Sequence, residues 1–178
     1  MNAIGYLAIL FIIFAVISFS DGNYDNTVIH LEIAAVLSVI SFFVQKEDTR
    51  SKEFLVWVIE NLDTIKNGTA MYKGIHITPQ TQVTQFQTCI SLIFFTTKSP
   101  SRFFINGQGN HIIAGLVFTV FTLLLGWWGI PWGPVYTIQT VIKNLTGGHK
   151  QIIGEMVKTI ETAVLAEEKQ FDEHASPA

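Results

Sequence analysis

The sequence predicts an α+β membrane protein: an N-terminal transmembrane helical hairpin, a small helix-plus-antiparallel-sheet module, a third membrane helix and an amphipathic C-terminal helix. Three observations carry this reading. Of the 178 residues, 49% are hydrophobic and 14% are charged, whereas ordinary soluble domains carry roughly 25% charged residues. The apolar residues gather in three long blocks instead of spreading as a single core would require. Outside those blocks the pattern changes to strand alternation and then to a helical stripe. These changes divide the chain into residues 1–45, 46–110, 111–134 and 135–178.

The first block, Ala3 to Phe19, has no charged side chain. Its 17 residues are near the lower limit for crossing a bilayer at about 1.5 Å per residue. A cleaved secretory signal would carry a Lys/Arg-rich start, which is missing, so an anchor is expected. The turn Asp21-Gly22-Asn23-Tyr24-Asp25-Asn26 leads to a second block, Val28 to Val44, closed by the charged exit Lys46-Glu47-Asp48-Thr49-Arg50-Ser51-Lys52. The turn has no Lys or Arg, while residues 46–110 contain seven. The positive-inside rule therefore places the turn outside and the middle segment in the cytoplasm.

In that middle segment Phe54, Leu55, Val58, Ile59, Leu62 and Ile65 recur at helical spacing up to Asn67-Gly68. Strands are expected over 69–78, 82–97 and 102–105, separated by Pro79 and by Ser99-Pro100. In the middle strand Phe86, Thr88, Ile90, Leu92 and Phe94 alternate with Gln85, Gln87, Cys89, Ser91 and Ile93. The more apolar face is expected to cover the preceding helix.

The third block, Ile112 to Ile130, ends in Gly126-Trp127-Trp128-Gly129-Ile130-Pro131-Trp132-Gly133-Pro134. Trp127, Trp128 and Trp132 suit an interfacial aromatic belt, and the interleaved Gly and Pro stop a helix. Val135, Ile138, Val141, Ile142 and Leu145 then share one helical side, with Thr137, Gln139, Thr140 and Lys143 elsewhere. A full span followed by an interfacial helix is expected, and a re-entrant hairpin is the competing form. After Gly147-Gly148, the residues Ile152, Ile153, Met156, Val157, Ile160, Ala163 and Val164 form a second stripe. Of these, Ile153, Met156, Val157, Ile160 and Val164 are the candidate partner-binding residues, with packing on the chain's own core as the more ordinary use of such a face.

Candidate chemistry is sparse. His30 and Glu32 are the polar pair inside an apolar helix, the usual mark of an ion path, yet they lie near its outer end and their i, i+2 spacing turns them to different sides. His76, His111, His149 and His174 have no paired ligand spacing, so neither a metal nor another cofactor is expected. Cys89, the single cysteine, excludes an internal disulfide. A net charge of −3 without a basic stripe excludes a phosphate-backbone footprint, and nucleic acid is not an expected partner.

The run Gly126 to Gln139, followed by Asn144-Leu145-Thr146-Gly147-Gly148 and preceded by Tyr72-Lys73-Gly74, Ile77-Thr78 and Pro100-Ser101-Arg102, resembles small uncharacterised bacterial membrane proteins. They carry the same kind of Trp/Gly/Pro segment. The likeness covers roughly the second half of the chain and leaves out the first hairpin. It implies a multi-pass protein of the bacterial cell (inner) membrane and brings no reaction with it. The expected role is therefore that of a non-catalytic accessory or scaffolding subunit that contacts the lipid bilayer and other membrane-protein subunits. A channel or transporter component using His30 and Glu32 is the alternative.

Overall fold

The structure, a computed structural model, describes residues 2–92, 95–107 and 111–163. The fold is mixed α and β, with two long apolar N-terminal helices and a small sheet module. It divides into two compact units, Met1–Thr49 and Arg50–Ala178.

In the first unit, α1 (Ala3–Ser20) is opened by Asn2, whose Oδ1 accepts the Gly5 backbone N–H at 2.9 Å. This cap satisfies one of the donors a helix start leaves without a partner. The chain turns at Asp21-Gly22 and enters α2 (Tyr24–Glu60). The helices run antiparallel, since Ser41 bonds Asn2 at one end and Ser18 meets His30 toward the other. Small residues line their shared side: Gly5, Ala8 and Ala15 are buried on α1, and Ala34 and Ser41 on α2. Ile4 and Leu37 are buried with them, while most of the other large apolar side chains point outward, and Val39 is 70% exposed. Both helices are long and apolar enough to cross a membrane.

The charged stretch at residues 46–52 does not end the second helix. It has no Gly or Pro and several good helix formers, so α2 continues through it to Glu60 as a single element of 37 residues. A short α3 (Leu62–Lys66) follows.

Three small antiparallel sheets make up the β part of the second unit. In the first, β1 (Ala70–Tyr72) pairs with β2 (Ile75–Ile77) across Lys73-Gly74. Both turn residues have positive φ, 49° and 81°, as a two-residue type I′ hairpin demands. In the second, β3 (Gln82–Gln85) lies between β6 (Phe104–Ile105) and β7 (His149–Ile152). In the third, β4 (Gln87–Leu92) pairs with β5 (Phe95–Pro100). The single strand expected over 82–97 is therefore broken at Phe86. Its first half joins the core that covers α2, and its second half packs on α4 and α5. Ile93 and Phe94 lie outside the described residues.

The core of this unit contains Phe54 and Val58 of α2, Ile65 of α3, Ala70, Ile77 and Val83 of the strands, and Ile153 and Val157. The last two belong to α6, helical over residues 153–163. Each large side chain here contributes about 1.5–3 kcal/mol relative to exposure. Ile152, which the helical stripe had included, pairs instead with Gln82 as the end of β7.

Two further helices, α4 (His111–Leu125) and α5 (Trp132–Leu145), pack on each other and on β4. The two ends His111-Ile112 and Asn144-Leu145 line one small cavity, so α5 returns antiparallel to α4. With 15 residues, α4 is about 22 Å long, short of the roughly 30 Å of a bilayer core. This is the geometry of a helical hairpin, and it differs from the expected full span followed by a separate interfacial helix.

Candidate functional site

The α4–α5 hairpin sorts its side chains in an unusual direction. Gly115, Phe118, Thr119 and Thr122 of α4 and Gly133, Thr137, Thr140 and Asn144 of α5 are buried. Ile112, Val120 and Leu124 of α4, and Val135, Ile138 and Leu145 of α5, are exposed. Trp127, Trp128 and Trp132 are exposed at the turn, Trp128 by 67%, and Ile130 reaches 82%. The Gly/Trp/Pro segment thus has two sides. A Cβ on Gly126 would sit 2.0 Å from Thr137 Oγ1 and 2.7 Å from the Thr122 carbonyl oxygen, so only glycine admits this helix crossing. Its tryptophans face away from the crossing.

Two of the inward side chains, Thr122 and Asn144, close the free edge of β4. One edge of that strand pairs with β5. On the other, the Cys89 N–H donates to Thr122 Oγ1 at 3.1 Å, the Gln87 N–H donates to Asn144 Oδ1 at 3.0 Å, and Asn144 Nδ2 donates to the Gln87 carbonyl at 2.8 Å. Side chains of two helices thus replace a neighbouring strand. An open edge costs little in water and several kcal/mol per group in hydrocarbon.

In the first unit, His30 is half-buried, with Nδ1 3.3 Å from Ser18 Oγ and its ring 6.0 and 5.8 Å from those of Phe11 and Phe14. Glu32 is exposed. The structure does not bring this pair together, as their spacing implied.

Ile153 and Val157 of the C-terminal stripe are fully enclosed in the core. Met156 and Ile160 are half-buried at its margin, where with Leu55, Phe103 and Gln85 they line an open groove of about 540 Å³. Val164 lies outside the described residues. Lys66 pairs with Glu161, whose carboxylate hydrogen bond raises the lysine above its ordinary value.

One feature was not legible in the chain. A cleft of about 460 Å³ is lined by Arg50, Lys73, Arg102 and His111 together with Phe54, Tyr72, Phe103 and Phe104. Lys73 Nζ lies 5.1 Å from the Tyr72 ring centroid, and the Arg102 guanidinium lies 4.9 Å from that of Phe104. Among the described residues, no Asp or Glu lines the cleft. In the sequence, Arg50, Lys73 and Arg102 enter the Lys/Arg count that assigns a side of the membrane and His111 is a histidine without paired spacing, because positions 50, 73, 102 and 111 share no pattern.

Among the described residues, no group of three or more His, Cys, Asp or Glu side chains is placed to hold a metal ion. Comparison of the chain with protein-family models, with curated proteins and with solved structures finds no match.

Proposed function

We propose that this chain is a non-catalytic integral membrane protein serving as an accessory or scaffolding subunit of a larger membrane complex. The observation that carries the membrane part is the inverted α4–α5 hairpin, with threonines, glycines and Asn144 inside and most of its large apolar side chains outside. Such a surface is stable against lipid and unfavourable against water. The two apolar helices of the first unit support the same reading. On it, α1 and α2 cross the bilayer of a bacterial cell membrane, while α4 and α5 dip into one leaflet with the three tryptophans as anchors.

The assembly part is supported by the groove beside Met156 and Ile160, an apolar margin that the chain's own core leaves open. A partner helix or loop can add its apolar side chains there.

Alkaline carbonate washing followed by mild-detergent extraction tests both parts. The chain is expected to stay in the membrane pellet and then to migrate in a species larger than its own micelle. Release by carbonate contradicts the membrane reading. Retention with migration as a single chain, unaltered by Met156→Glu, contradicts the assembly reading alone.

A further inference from the structure

Strand β7 (His149–Ile152) is an edge of its three-stranded sheet, with β3 on one side and no strand on the other. Its bonds fix which backbone groups face that open side. The Ile153 N–H donates to the Thr81 carbonyl at 3.0 Å, one step beyond the paired residues Ile152 and Gln82. In an antiparallel pair a residue turns its N–H and its carbonyl to the same side, and successive residues alternate. His149 and Gln151 therefore bond β3 as Ile153 does, while Lys150 and Ile152 turn both backbone groups outward. Among the described residues, neither makes a further backbone hydrogen bond.

The outward groups adjoin the groove of about 540 Å³ beside α6. His149, Lys150 and Gln151 all line it. Consecutive strand residues send their side chains to opposite faces, so a groove that all three share runs along the strand's edge. Leu55, Phe103, Met156 and Ile160 supply its apolar wall. An open backbone edge beside an apolar groove suits an extended chain, which adds main-chain hydrogen bonds and places alternate side chains in the groove. We infer that β7 takes up an extended, acidic segment of a partner protein as a fourth strand of this sheet. The inference rests on the assembly reading of the groove and gives that partner a form; it does not depend on the membrane reading.

Charge selects the partner. The ionisable side chains of β7 are His149 and Lys150, and neither has an ion-pair partner among the described residues. The acidic residue that lines the groove, Glu155, is on α6 and not on the strand. An incoming Asp or Glu opposite Lys150 gains a favourable cross-strand pair. The β7 of a second copy would instead bring another lysine to the same edge. A docked helix would leave the outward groups of Lys150 and Ile152 unbonded, since its own backbone is already satisfied.

The full chain in a neutral detergent can be titrated into the dye-labelled peptide Thr-Val-Glu-Val-Thr-Val-Glu, with binding read by fluorescence anisotropy. Saturable binding is expected. N-methylation of all the valines, or of all the other residues, should abolish it in one case and spare it in the other, because alternate N–H groups face β7. Ile152→Pro removes an outward N–H and leaves the bonds to β3 in place, and should raise the half-saturation about tenfold, the loss of one hydrogen bond. Lys150→Glu should reverse the preference, toward the peptide with Lys in place of Glu; Lys150 is exposed, so this variant decides even if Ile152→Pro does not fold. No saturation by the acidic peptide, equal effects of the two N-methylations, or an unreversed preference would overturn the inference. A larger species in mild detergent that Met156→Glu dissolves and Ile152→Pro does not would refute the added strand and leave the assembly reading standing. A chain that migrates alone yet saturates with the peptide would refute the assembly reading and keep the edge site. A larger species composed of this chain alone, reduced to one copy by Ile152→Pro, would overturn the partner in favour of a second copy.

Discussion

Two packed regions of the second unit solve opposite problems. Around Phe54, Val58, Ile153 and Val157 the large apolar side chains are inside, as in any domain folding in water. Between α4, α5 and β4, the inside is threonine, glycine, asparagine and a few apolar residues, and the large apolar side chains are outside. On the membrane reading proposed above, the difference reflects the solvent each region is built for. Burying apolar surface drives folding only where the alternative is water; in lipid, close backbone packing and hydrogen bonds take over. On that reading, the glycines at the α4–α5 crossing and the side chains that close β4 supply those two contributions.

The comparison breaks most decisively at Ile153. Ile153→Asp places a charge in a fully enclosed apolar site, and a loss of about 5 kcal/mol is expected, comparable with the stability of a whole domain. Limited proteolysis of the second unit should show the loss as rapid cleavage. Undiminished protease resistance would mean that α6 does not belong to this core.

The next effect lies in the inverted region. Asn144→Ala removes the partner of the Gln87 N–H and the nearer of two donors to its carbonyl, which keeps Thr122 Oγ1 at 3.5 Å; with one group left unsatisfied at about 1–3 kcal/mol and one hydrogen bond lost at the other at about 1 kcal/mol, a loss of about 2–4 kcal/mol is expected. Thermal unfolding followed by tryptophan fluorescence measures it. An unchanged midpoint would show that the β4 edge finds other partners.

Leu124→Lys sharpens the contrast because its sign depends on the surroundings. Leu124 is exposed on the outer face of α4. Against lipid, the lysine costs up to about 2.5–3.5 kcal/mol, less if it reaches the headgroups. Against water, it costs nothing. Membrane abundance of the variant should fall, and unaltered abundance with improved detergent-free solubility would argue for an aqueous surface.

The smallest effect is expected at Lys66 and Glu161. The lysine is raised above 10.5 chiefly by its hydrogen bond to Glu161. Its contribution is therefore complete below the unfolded value and disappears as pH rises through the higher folded value. Because the lysine is exposed, Glu161→Gln should move the thermal midpoint at pH 7 less than any substitution above, and the difference should vanish at strongly alkaline pH. A difference that grows with alkalinity would contradict this account.

Much of the helical architecture was legible because its signals are local. The apolar runs Ala3 to Phe19 and Val28 to Val44, the Phe54 stripe and the Ile153 stripe each carry a 3.6-residue or continuous apolar pattern. The strands were harder to read. The break at Phe86 depends on Ser101, whose N–H and hydroxyl bond the Phe86 backbone from 15 residues away. Strand β7 exists only through its pairing with distant β3. The helical spacing of α5 was also visible, but spacing alone does not name the medium an apolar face meets. It marks an apolar face without saying whether protein, lipid or water lies on the other side. The cleft was the least legible feature, because four residues spread over positions 50–111 meet only in the fold.

The measurement that tests the inverted region most directly uses the protein's own fluorescence. Trp57 is half-buried against the core of the second unit, while Trp127, Trp128 and Trp132 are exposed at the α4–α5 turn. Two variants separate them: Trp57→Phe, and a triple replacement of Trp127, Trp128 and Trp132 by Phe. Each is reconstituted in phosphatidylcholine with or without bromine on the acyl chains. Strong bromine quenching of the Trp57→Phe protein, with weak quenching of the triple variant, is the predicted result. Weak quenching of the Trp57→Phe protein would place the α4–α5 turn in water and contradict the account of how this region is built.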